Sequence, residues 1–500
     1  PCLFITGQVS VHAMKTNPAV RQQGFQETDI VSIVRPITKF AVTVLEAENI
    51  RYILEKAFYF AQSERPGPVL IDIPHNLQAA EINPQTLPGF CDSDKSTSEI
   101  KIGQQPEDPV FKKIIAMMEE SRKPVVLVGG GMTSVRGKGL LESLIHTCDL
   151  PVVCSLRGLD SIDHDNDHFC GFIGSYGNRY ANFAIAQSDL LLVLGSRLDE
   201  RQTGDNRTLF ARGAKIIHID IDPHELNHHF REDVSVCCDL ELFLTKLITE
   251  LGDRRFHHIA WLEHIYRWKA SYPSYGVSVD AKEIDPNEFM HILSKKVSSH
   301  SVVCADVGQN MMWVAQSFCL NKNKRLLCSA GHGAMGYSLP AGIGASFALP
   351  DRQIICVMGD GGIQMNIQEL QTVSREKIPL KIFIMNNHSL GMIRTFHEKY
   401  FSNRCYGSAI GYTNPDFQKL AYAFDISYTR ISTCEDFNRL DEKINTAGPH
   451  LFEVVLSPQT QVIPEPAPRR PLEDQLPLLD RKEFDRLLDM DDVRLKHEKV

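Results

Sequence analysis

One stretch of the chain decides the fold: residues 353–387, which read QIICVMGDGGIQMNIQELQTVSREKIPLKIFIMNN. Its first six residues form an almost continuous apolar run, as is typical of a central strand in a parallel sheet. This run ends in Gly359-Asp360-Gly361-Gly362. Residues 380–385 read Leu-Lys-Ile-Phe-Ile-Met and predict the next strand, which ends in Asn386-Asn387.

A helix is expected between the two strands. Asn366 stands where an N-cap should be, and Glu369 follows three residues later, which gives an asparagine version of the capping box. We expect the helix to run to about Glu376 and to end before Pro379. Strand, helix and strand then make a βαβ unit, whose two strands are parallel and end at the same edge of the sheet.

The polar ends of this unit, Asp360 and Asn387, lie 387 − 360 = 27 positions apart in sequence but are expected to converge in space. Open α/β sheets bind ligands at the edge where their strands end. A carboxylate and an amide oxygen suit a hard cation such as Mg²⁺, which keeps open positions for phosphate oxygens. The neighbouring glycines let the backbone approach those phosphates. The sequence therefore predicts a metal–diphosphate site at this edge.

The composition of the 500-residue chain is that of a globular protein with several domains, since 43% of the residues are hydrophobic. The net charge of −9 comes from 62 acidic and 53 basic residues without a basic stripe, so we expect no nucleic-acid partner. The 13 cysteines form no CxxC pair, and no apolar run is long enough to span a bilayer. We therefore expect neither a zinc ribbon nor a membrane segment, and a cytoplasmic location.

Three blocks alternate short β-rich runs with helical patterns, which predicts an α/β protein built from parallel-sheet layers. Residues 3–8 read as a buried strand that needs neighbours on both sides, so we expect an N-terminal segment to be missing before Pro1. The opening residues lack the pattern of a signal peptide. The predicted parts are a first domain (1–90), a linker (91–108), a central domain (109–255), a second linker (256–284), a third domain (285–460) and a tail (461–500).

The two strand ends resemble the signature of the acetolactate synthase type of thiamine-diphosphate enzymes, which is GDG followed by a spaced double Asn. The resemblance covers nearly all of residues 1–460. It implies three Rossmann-like parallel-sheet domains: an incomplete pyrimidine-binding domain, a central nucleotide-binding-like domain and a diphosphate-binding domain. It also implies metal ligation by Asp360, the Asn387 side chain and the Ser389 carbonyl. The residues that it assigns to the thiamine cofactor are Gly308, Gln309, Gly333, Met335, Gly359, Asp360, Gly361, Gly362, Asn387, Gly391 and Met392.

The resemblance assigns catalytic roles to Met335 and Gln8. Met335 resembles the apolar wedge that bends the cofactor, and its alternative role is that of an ordinary core methionine. The family's general-acid glutamate lies upstream of the segment that matches residues 3–8, so we expect this chain as given to lack that carboxylate. In the family, the glutamate of one subunit meets the metal site of another, which implies a homodimer or homotetramer.

The middle block carries Gly129-Gly130-Gly131 after a predicted strand. This is a weak dinucleotide signal by itself, because it is not GxGxxG. Residues 171–177, 195–204 and 218–223 also resemble family segments that bind FAD in an extended pose, without net redox work by the flavin. The alternative is a related domain that has lost its nucleotide or uses another one. The residues assigned to FAD are Gly129, Gly130, Gly131, Gly195, Arg197, Asp199, Asp220 and Asp239.

Arg201 matches a family arginine that contacts the carboxylate of the acceptor, and its alternative role is an ion pair with Asp199 or Glu200. Phe396 stands where the family has Trp, which removes area that selects small keto acids. Arg394 adds a cation that could face the phosphates of a nucleotide sugar or point to solvent. The residues assigned to the acceptor pocket are Phe25, Val307, Arg394 and Phe396.

These features predict a thiamine-diphosphate- and Mg²⁺-dependent carboligase of the acetolactate synthase type. It would decarboxylate a 2-keto acid, by default pyruvate, and transfer the two-carbon unit to a carbonyl acceptor, by default a second pyruvate. The tail segment 470–481 resembles family members of bacterial surface-sugar pathways, which makes a nucleotide keto-sugar the alternative acceptor. Simple decarboxylation is a third outcome, and a catalytically silent subunit is a hypothesis of a different class.

Overall fold

The computed structural model describes residues 1–91, 107–134, 138–276, 283–321 and 323–488. It divides into two compact units, residues 1–104 and residues 105–500. The described strands form three parallel sheets, and the predicted α/β class is confirmed. No helix in these ranges combines the length and the apolar character needed to cross a membrane.

The first unit holds a small parallel sheet of three described strands. These are β1 (Cys2–Gln8), β2 (Phe40–Thr43) and β3 (Pro68–Pro74), in the order β1-β3-β2, and the helices are α1 (Ile30–Val34), α2 (Ile50–Gln62) and α3 (His75–Gln78). Ala57 and Ala61 of α2 pack against this sheet. Strand β1 pairs with β3 alone, and Phe4 and Ile5 are 51% and 60% exposed. Strand β1 is therefore an edge strand of the described sheet, and the expected neighbour on its other side stays a prediction.

The central sheet of the second unit has the strand order β6-β5-β4-β7-β8-β9. Its strands are β4 (Pro124–Val128), β5 (Val152–Cys154), β6 (Phe169–Phe172), β7 (Leu190–Leu194), β8 (Lys215–Asp220) and β9 (Val234–Cys237). Its helices are α4 (Asp108–Glu120), α5 (Lys138–Cys148), α6 (Arg179–Gln187), α7 (Glu200–Thr203), α8 (Leu240–Leu251) and α9 (Ile259–Ser271). The first strand lies beside the fourth, so the chain reverses its direction of growth between β4 and β7. This is the switch point of a doubly wound sheet.

Helix α9 falls within residues 256–284, which the sequence predicted to be a linker. Trp261, Leu262, Ile265 and Trp268 of this helix are buried against the central sheet, and the indole of Trp261 donates to the carbonyl of Pro124 at 3.1 Å. The linker prediction is wrong for this helix, because its apolar residues recur at helical spacing and face the core. Residues 277–282, and residues 92–106 of the other predicted linker, lie outside the described ranges.

The C-terminal sheet has the order β11-β10-β12-β13-β15-β14. Its strands are β10 (Ser301–Ala305), β11 (Arg325–Cys328), β12 (Gln353–Gly359), β13 (Lys381–Asn386), β14 (Ser427–Ile431) and β15 (His450–Val455). Its helices are α10 (Pro286–Lys296), α11 (Gln309–Ser317), α12 (Ser338–Ala348), α13 (Leu370–Arg375), α14 (Gly391–Tyr400), α15 (Phe417–Ala423) and α16 (Leu440–Ile444). This sheet has its switch point between β10 and β12.

The capped helix predicted after Asn366 is only partly present. Short 3-10 turns precede α13, and the Asn366 side chain caps nothing. Its amide instead donates to the carbonyl of Gly336 at 2.7 Å. The capping-box prediction is wrong, because a loop distant in sequence takes up the side chain that would have capped the helix.

The tail returns from the C-terminal sheet to the central sheet and ends in α17 (Arg481–Leu487). The guanidinium of Arg179 donates to the carbonyls of Gln475 and Pro477 at 3.2 and 2.9 Å. Phe484 of α17 is buried in the core on one face of the central sheet. Residues 489–500 lie outside the described ranges.

Candidate active site

The ends of β12 and β13 lie side by side, as the sequence predicted. Gly359 is the register partner of Met385, so the residues that follow, Asp360 and Asn386-Asn387, leave the sheet at the same edge. Asp360 and Asn387 are 2% and 4% exposed. The convergence of these polar groups, 387 − 360 = 27 positions apart, is confirmed.

Asp360 is a buried carboxylate whose Oδ2 has no hydrogen-bond partner among the described residues. Burial raises the pKa of Asp360 from 3.8 to about 6, and the phenol of Tyr412 opposes that shift. Gln364 donates to the backbone carbonyl of Asp360 and to the hydroxyl of Tyr412, both at 3.1 Å. A buried acceptor with no donor is costly. A cation bound at Oδ2 would remove this cost, so the geometry fits a metal.

Asn387 has a fixed side-chain orientation. Its amide nitrogen donates to Oε1 of Gln309 at 2.9 Å, and its amide oxygen accepts from the hydroxyl of Ser389 at 3.3 Å. The neighbouring Asn386 has a structural role, because its amide donates to Glu453 at 2.7 Å. Of the double Asn, only Asn387 therefore offers an oxygen toward the predicted metal.

Gly391, the first residue of α14, closes one side of this site. A Cβ at this position would overlap Oε1 of Gln309 and come within 2.6 Å of the Asn387 amide nitrogen. Only glycine allows these three residues to approach so closely. The structure therefore explains why a glycine stands at 391, whichever ligand is bound.

Asp306, at the end of β10, connects the loop that follows β10 to the loop that carries Met335. One oxygen of its carboxylate accepts from the amides of Val307 and Tyr337 at 2.8 and 3.2 Å, and the other accepts from Gly336 at 3.0 Å. Burial raises its pKa to about 6, although these three amides lower it. Asp306 thus holds the loop that carries Met335 against the end of β10.

Met335 lies at the surface of this edge, with 39% of its side chain exposed. Its methyl group is 3.5 Å from where a Cβ at Gly361 would stand. The alternative role as an ordinary core methionine does not fit such exposure. Gly333, two residues earlier, has a left-handed φ of +58° and lies near Val307.

The remaining residues predicted for the thiamine cofactor cluster around the same strand ends. Gly308, with φ +127°, precedes α11, and Gln309 opens that helix. Gly362 packs against the Asp306 carboxylate, where a Cβ would overlap Oδ2. Met392 follows Gly391 in the first turn of α14 and is half-buried. Of these residues, Gln309 contacts the Asn387 side chain directly.

Comparison with known proteins agrees with this geometry. A family model described as "Thiamine pyrophosphate enzyme, C-terminal TPP binding domain" matches residues 306–454, and one described as "Thiamine pyrophosphate enzyme, central domain" matches residues 111–247. The chain is 34% identical over 474 residues to the acetolactate synthase large subunit of Cyanidium caldarium, covering 94% of this chain and 79% of that protein. The chain belongs to the thiamine pyrophosphate enzyme family.

Other relatives of this thiamine pyrophosphate enzyme carry the same name. Acetolactate synthase 1, chloroplastic, of Zea mays is 33% identical over 480 residues, which cover 93% of this chain and 72% of that protein. The acetolactate synthase large subunit of Parasynechococcus marenigrum (strain WH8102) is 36% identical over 465 residues, which cover 91% and 72%. The resemblance inferred from residues 353–387 is confirmed.

Arg394 does not occupy the position that the sequence suggested. It is 5% exposed; its Nη2 donates to the carbonyl of Thr460 at 2.7 Å, and its Nε lies 3.4 Å from the Glu398 carboxylate. It neither points to solvent nor presents a free cation to an acceptor. The prediction is wrong because position 394 lies on the inner face of α14, which packs on the tail. Phe396, two residues on, lies on the outer face and is 51% exposed.

The predicted FAD residues of this thiamine pyrophosphate enzyme flank the switch point of the central sheet. The loop at Gly129, Gly130 and Gly131 follows β4, and Gly195 follows β7. The two loops touch, because the amide of Gly131 donates to the carbonyl of Gly195 at 2.9 Å. The close contact between these two loops therefore explains the glycines at 131 and 195, whichever ligand is bound. Asp239 caps α8 through the amides of the next turn, and Asp220 accepts from the amide of Asp222 at 2.9 Å.

Two exposed arginines lie beside these loops. Arg197 pairs with Asp199 at 3.0 Å, and its guanidinium lies next to Gly331 of the C-terminal part. Arg157, which the sequence analysis missed, approaches the carbonyl of Cys328 at 3.4 Å and packs beside Gly130. The switch point and these two cations fit the diphosphate of a dinucleotide.

Arg201 is exposed and forms neither of the two ion pairs considered from sequence among the described residues. The Asp199 carboxylate pairs with Arg197, and Arg201 meets it only through its backbone amide, at 2.9 Å. The Arg201 charge lowers the pKa of the Tyr176 phenol, so the guanidinium lies near this phenol.

Two predicted site residues belong to the first unit. Gln8, at the end of β1, donates to Asp72 at 3.1 Å and to the carbonyl of Thr28 at 2.6 Å. Phe25 is 88% exposed. Within this unit, Gln8 is held rigidly while Phe25 extends from the surface.

Proposed function

We propose that this enzyme is a Mg²⁺-dependent carboligase that decarboxylates pyruvate and transfers the two-carbon unit to a carbonyl acceptor. The observation that carries the proposal is the unpartnered Oδ2 of the buried Asp360, at the sheet edge that also carries the fixed amide oxygen of Asn387. Both oxygens are of the kind that Mg²⁺ prefers, and Mg²⁺ commonly binds diphosphates in this manner. The names of the acetolactate synthase relatives support the reaction class.

In this proposal, Asp360, the amide oxygen of Asn387 and the carbonyl of Ser389 hold the metal, and the strand-end glycines receive the diphosphate. Bound thiamine diphosphate supplies the electron sink for breaking the bond between the carboxyl and keto carbons of the substrate. Gln309 keeps the Asn387 oxygen in place through its 2.9 Å bond. Met335 would supply an apolar wall for the bound cofactor.

The acceptor side is assigned to Arg201, Val307 and Phe396. The exposed guanidinium of Arg201 would bind the carboxylate of a second pyruvate, because a planar guanidinium pairs with a carboxylate through two hydrogen bonds. Phe396 forms an apolar surface with Tyr400, with ring centroids 4.7 Å apart. This surface would exclude water and contact the methyl group of a small keto acid.

We also propose that the central domain binds FAD without net redox work. The support is the switch point between β4 and β7, with Arg157 and Arg197 beside it. Purified protein should be yellow, and heat denaturation should release a flavin. Colourless protein that is saturated with thiamine diphosphate and fully active would refute the flavin assignment.

A homodimer or homotetramer in the cytoplasm is part of the proposal. Several large apolar side chains are more than half exposed, including Phe347, Tyr406 and Ile410 in the C-terminal part. Such exposure favours a protein interface. Cys154, Cys304 and Cys356 are buried free thiols, which suits a reducing compartment. Light scattering with size-exclusion chromatography would measure the oligomer.

The decisive experiment incubates the full-length protein with labelled pyruvate, thiamine diphosphate and Mg²⁺. Labelled CO₂ together with acetolactate supports the proposal, and CO₂ with acetaldehyde alone supports simple decarboxylation. Absence of both in protein that binds the cofactor would support a silent subunit. An Asp360→Ala variant is the matched control, since it should abolish every product.

A nucleotide keto-sugar is the second candidate acceptor. It no longer has support from Arg394, which is buried and bound to Thr460. The observation that still favours it is the exposed Phe396, whose ring covers less of the pocket than a Trp would. Adding candidate keto-sugars to the pyruvate assay tests this acceptor. A branched sugar formed faster than acetolactate would favour it.

A further inference from the structure

Tyr176 lies where three segments of the second unit meet. Its backbone is held from both sides: its carbonyl accepts from Gln316 of α11 at 2.9 Å, and the amide of the preceding Ser175 donates to the carbonyl of Arg201 at 2.8 Å. Gly174 has φ +113°, and a Cβ there would overlap the same Arg201 carbonyl. The loop that carries Tyr176 is therefore pressed against α7 and fixed to α11.

The hydroxyl of Tyr176 links the proposed acceptor arginine to the cofactor side of the site. It donates to Sδ of Met392 at 3.2 Å, and the Arg201 guanidinium lies close enough to lower the pKa of the same phenol. A phenol has one hydrogen to donate and lone pairs to accept with, so it can serve both partners at once. Met392 adjoins Gly391, which touches Gln309 and Asn387.

Other charged groups around this phenol are consistent with that arrangement. Burial raises the pKa of Tyr176, the Arg201 charge lowers it, and Glu465 of the tail raises it. Glu465 is itself paired with Lys399 of α14 at 2.7 Å. The phenol therefore stays protonated near neutral pH, which keeps its donor available to Met392.

We propose that Tyr176 is a positioning residue for the acceptor half of the reaction: it sets the distance between the Arg201 guanidinium and the bound cofactor. This inference rests on the proposed carboligase function. Arg201 is exposed, so the acceptor carboxylate would otherwise be held by a flexible side chain. Fixing it through Tyr176 orients the acceptor carbonyl toward the cofactor, and small errors in such placement are costly.

The test is Tyr176→Phe, which keeps the ring and removes both contacts of the hydroxyl. In the holoenzyme with labelled pyruvate, CO₂ release should change by less than about threefold, while acetolactate formed per CO₂ should fall about tenfold. Acetaldehyde should replace the lost acetolactate. The KM for pyruvate in acetolactate formation should rise. A role in folding alone would not change this partition.

Two further variants keep the test selective. Arg201→Lys should lower the acetolactate formed per CO₂ as well. The double variant should give the same ratio as Arg201→Lys alone, because Tyr176 acts through Arg201 in this proposal. Tyr180→Phe removes a buried hydroxyl four residues away on α6 and should leave the partition unchanged.

The outcomes separate the two proposals. If the wild-type protein releases no CO₂ from pyruvate, the proposed function fails. If the wild-type protein makes acetolactate and Tyr176→Phe leaves the partition unchanged, the role of Tyr176 is refuted. An equal fall of both products, with a lower melting temperature, would also refute it and indicate a purely structural contact.

Discussion

The amide nitrogen of Asn387 donates to Oε1 of Gln309 at 2.9 Å, across 78 positions of sequence. This bond fixes which end of the amide is left for a ligand at the sheet edge that also carries Asp360. An amide that could rotate would present its NH₂ group to a cation in half of its orientations. In the proposed metal site, Gln309 would thus make Asn387 an oxygen ligand, without touching the metal itself.

Gln309→Ala should weaken the binding of Mg²⁺ and thiamine diphosphate about tenfold, because loss of a buried hydrogen bond of this kind costs on the order of 1–2 kcal/mol. Activation by Mg²⁺ at saturating cofactor measures this constant. Gln418→Ala is the matched control, because Gln418 is exposed and bonds only the Tyr422 hydroxyl. Equal cofactor constants for both variants would contradict this account of Asn387.

Gly391→Ala should abolish cofactor binding while the protein still folds. The new methyl group would overlap Gln309 and displace the Asn387 amide, which lies within 2.6 Å of it. Quenching of intrinsic fluorescence by thiamine diphosphate provides the measurement. Gly344→Ala places the same methyl group in α12, where nothing lies within 4 Å, and should bind the cofactor normally. Normal binding by Gly391→Ala would show that the site can relax.

Asp360→Asn should make the metal-free protein more stable at pH 7.5 while abolishing activity. The folded-state pKa of Asp360 is raised from 3.8 to about 6, so the folded state binds the proton more tightly. Stability therefore falls as pH rises from about 4 to about 6, by about 3 kcal/mol at most, and stays low above that range. Asn carries no charge and lacks this penalty.

Melting temperatures in EDTA at pH 4.5 and pH 7.5 measure this effect. The wild type should lose more stability between these values than Asp360→Asn does. Added Mg²⁺ and thiamine diphosphate should raise the melting temperature of the wild type alone, since only the wild type binds them tightly. If the metal-free wild type is the more stable protein at pH 7.5, the raised pKa is wrong.

Arg394→Met should destabilise the protein without changing its use of acceptors. The substitution removes the 2.7 Å bond to Thr460 from a side chain that is 5% exposed, at a cost of about 1–3 kcal/mol. A lower melting temperature and an unchanged KM for the acceptor are expected. Arg430→Met, at an exposed position on β14, is the control and should melt normally. A changed acceptor KM for Arg394→Met would restore its predicted place in the pocket.

Phe396→Trp should fold normally, because the side chain is half-exposed and has room to grow. The larger ring should reduce the use of a bulky acceptor such as benzaldehyde relative to pyruvate by at least about threefold, since added bulk in a pocket acts mainly on selectivity. Product ratios in a competition assay provide the measurement. Phe347→Trp, at an exposed position on α12, should leave the ratio unchanged. An unchanged ratio for Phe396→Trp would remove this residue from the pocket.

The sequence was sufficient for the strands that carry the site. Strands β12 and β13 are buried on both faces, so their residues from Ile354 to Met358 and from Ile382 to Met385 are all apolar, and their ends are marked by Gly359-Asp360 and Asn386-Asn387. Strands that are short or exposed lack an apolar run of this kind. Strand β5 has three residues, and the edge strand β14 reads Ser-Tyr-Thr-Arg-Ile.

Two of the failures, at Asn366 and Arg394, have a common physical cause. Asn366 and Arg394 each have a partner distant in sequence, Gly336 and Thr460, and no local pattern reveals such a partner. The same is true of Tyr176, which lies 216 positions before Met392. Local sequence rules therefore located the cofactor edge, while side-chain partners across loops required the structure.

The tail gives the chain an order of assembly. Among the described residues, the buried guanidinium of Arg179 in the central domain donates to Gln475 and Pro477, some 300 residues later, and Phe484 completes a core whose other members begin at Val125. A ribosome releases the amino-terminal part of a chain first. The central sheet must therefore wait, with an unpaired guanidinium and an uncovered apolar surface, until the last segment has been synthesised. Truncation of that segment would leave the earlier-made sheet prone to aggregation.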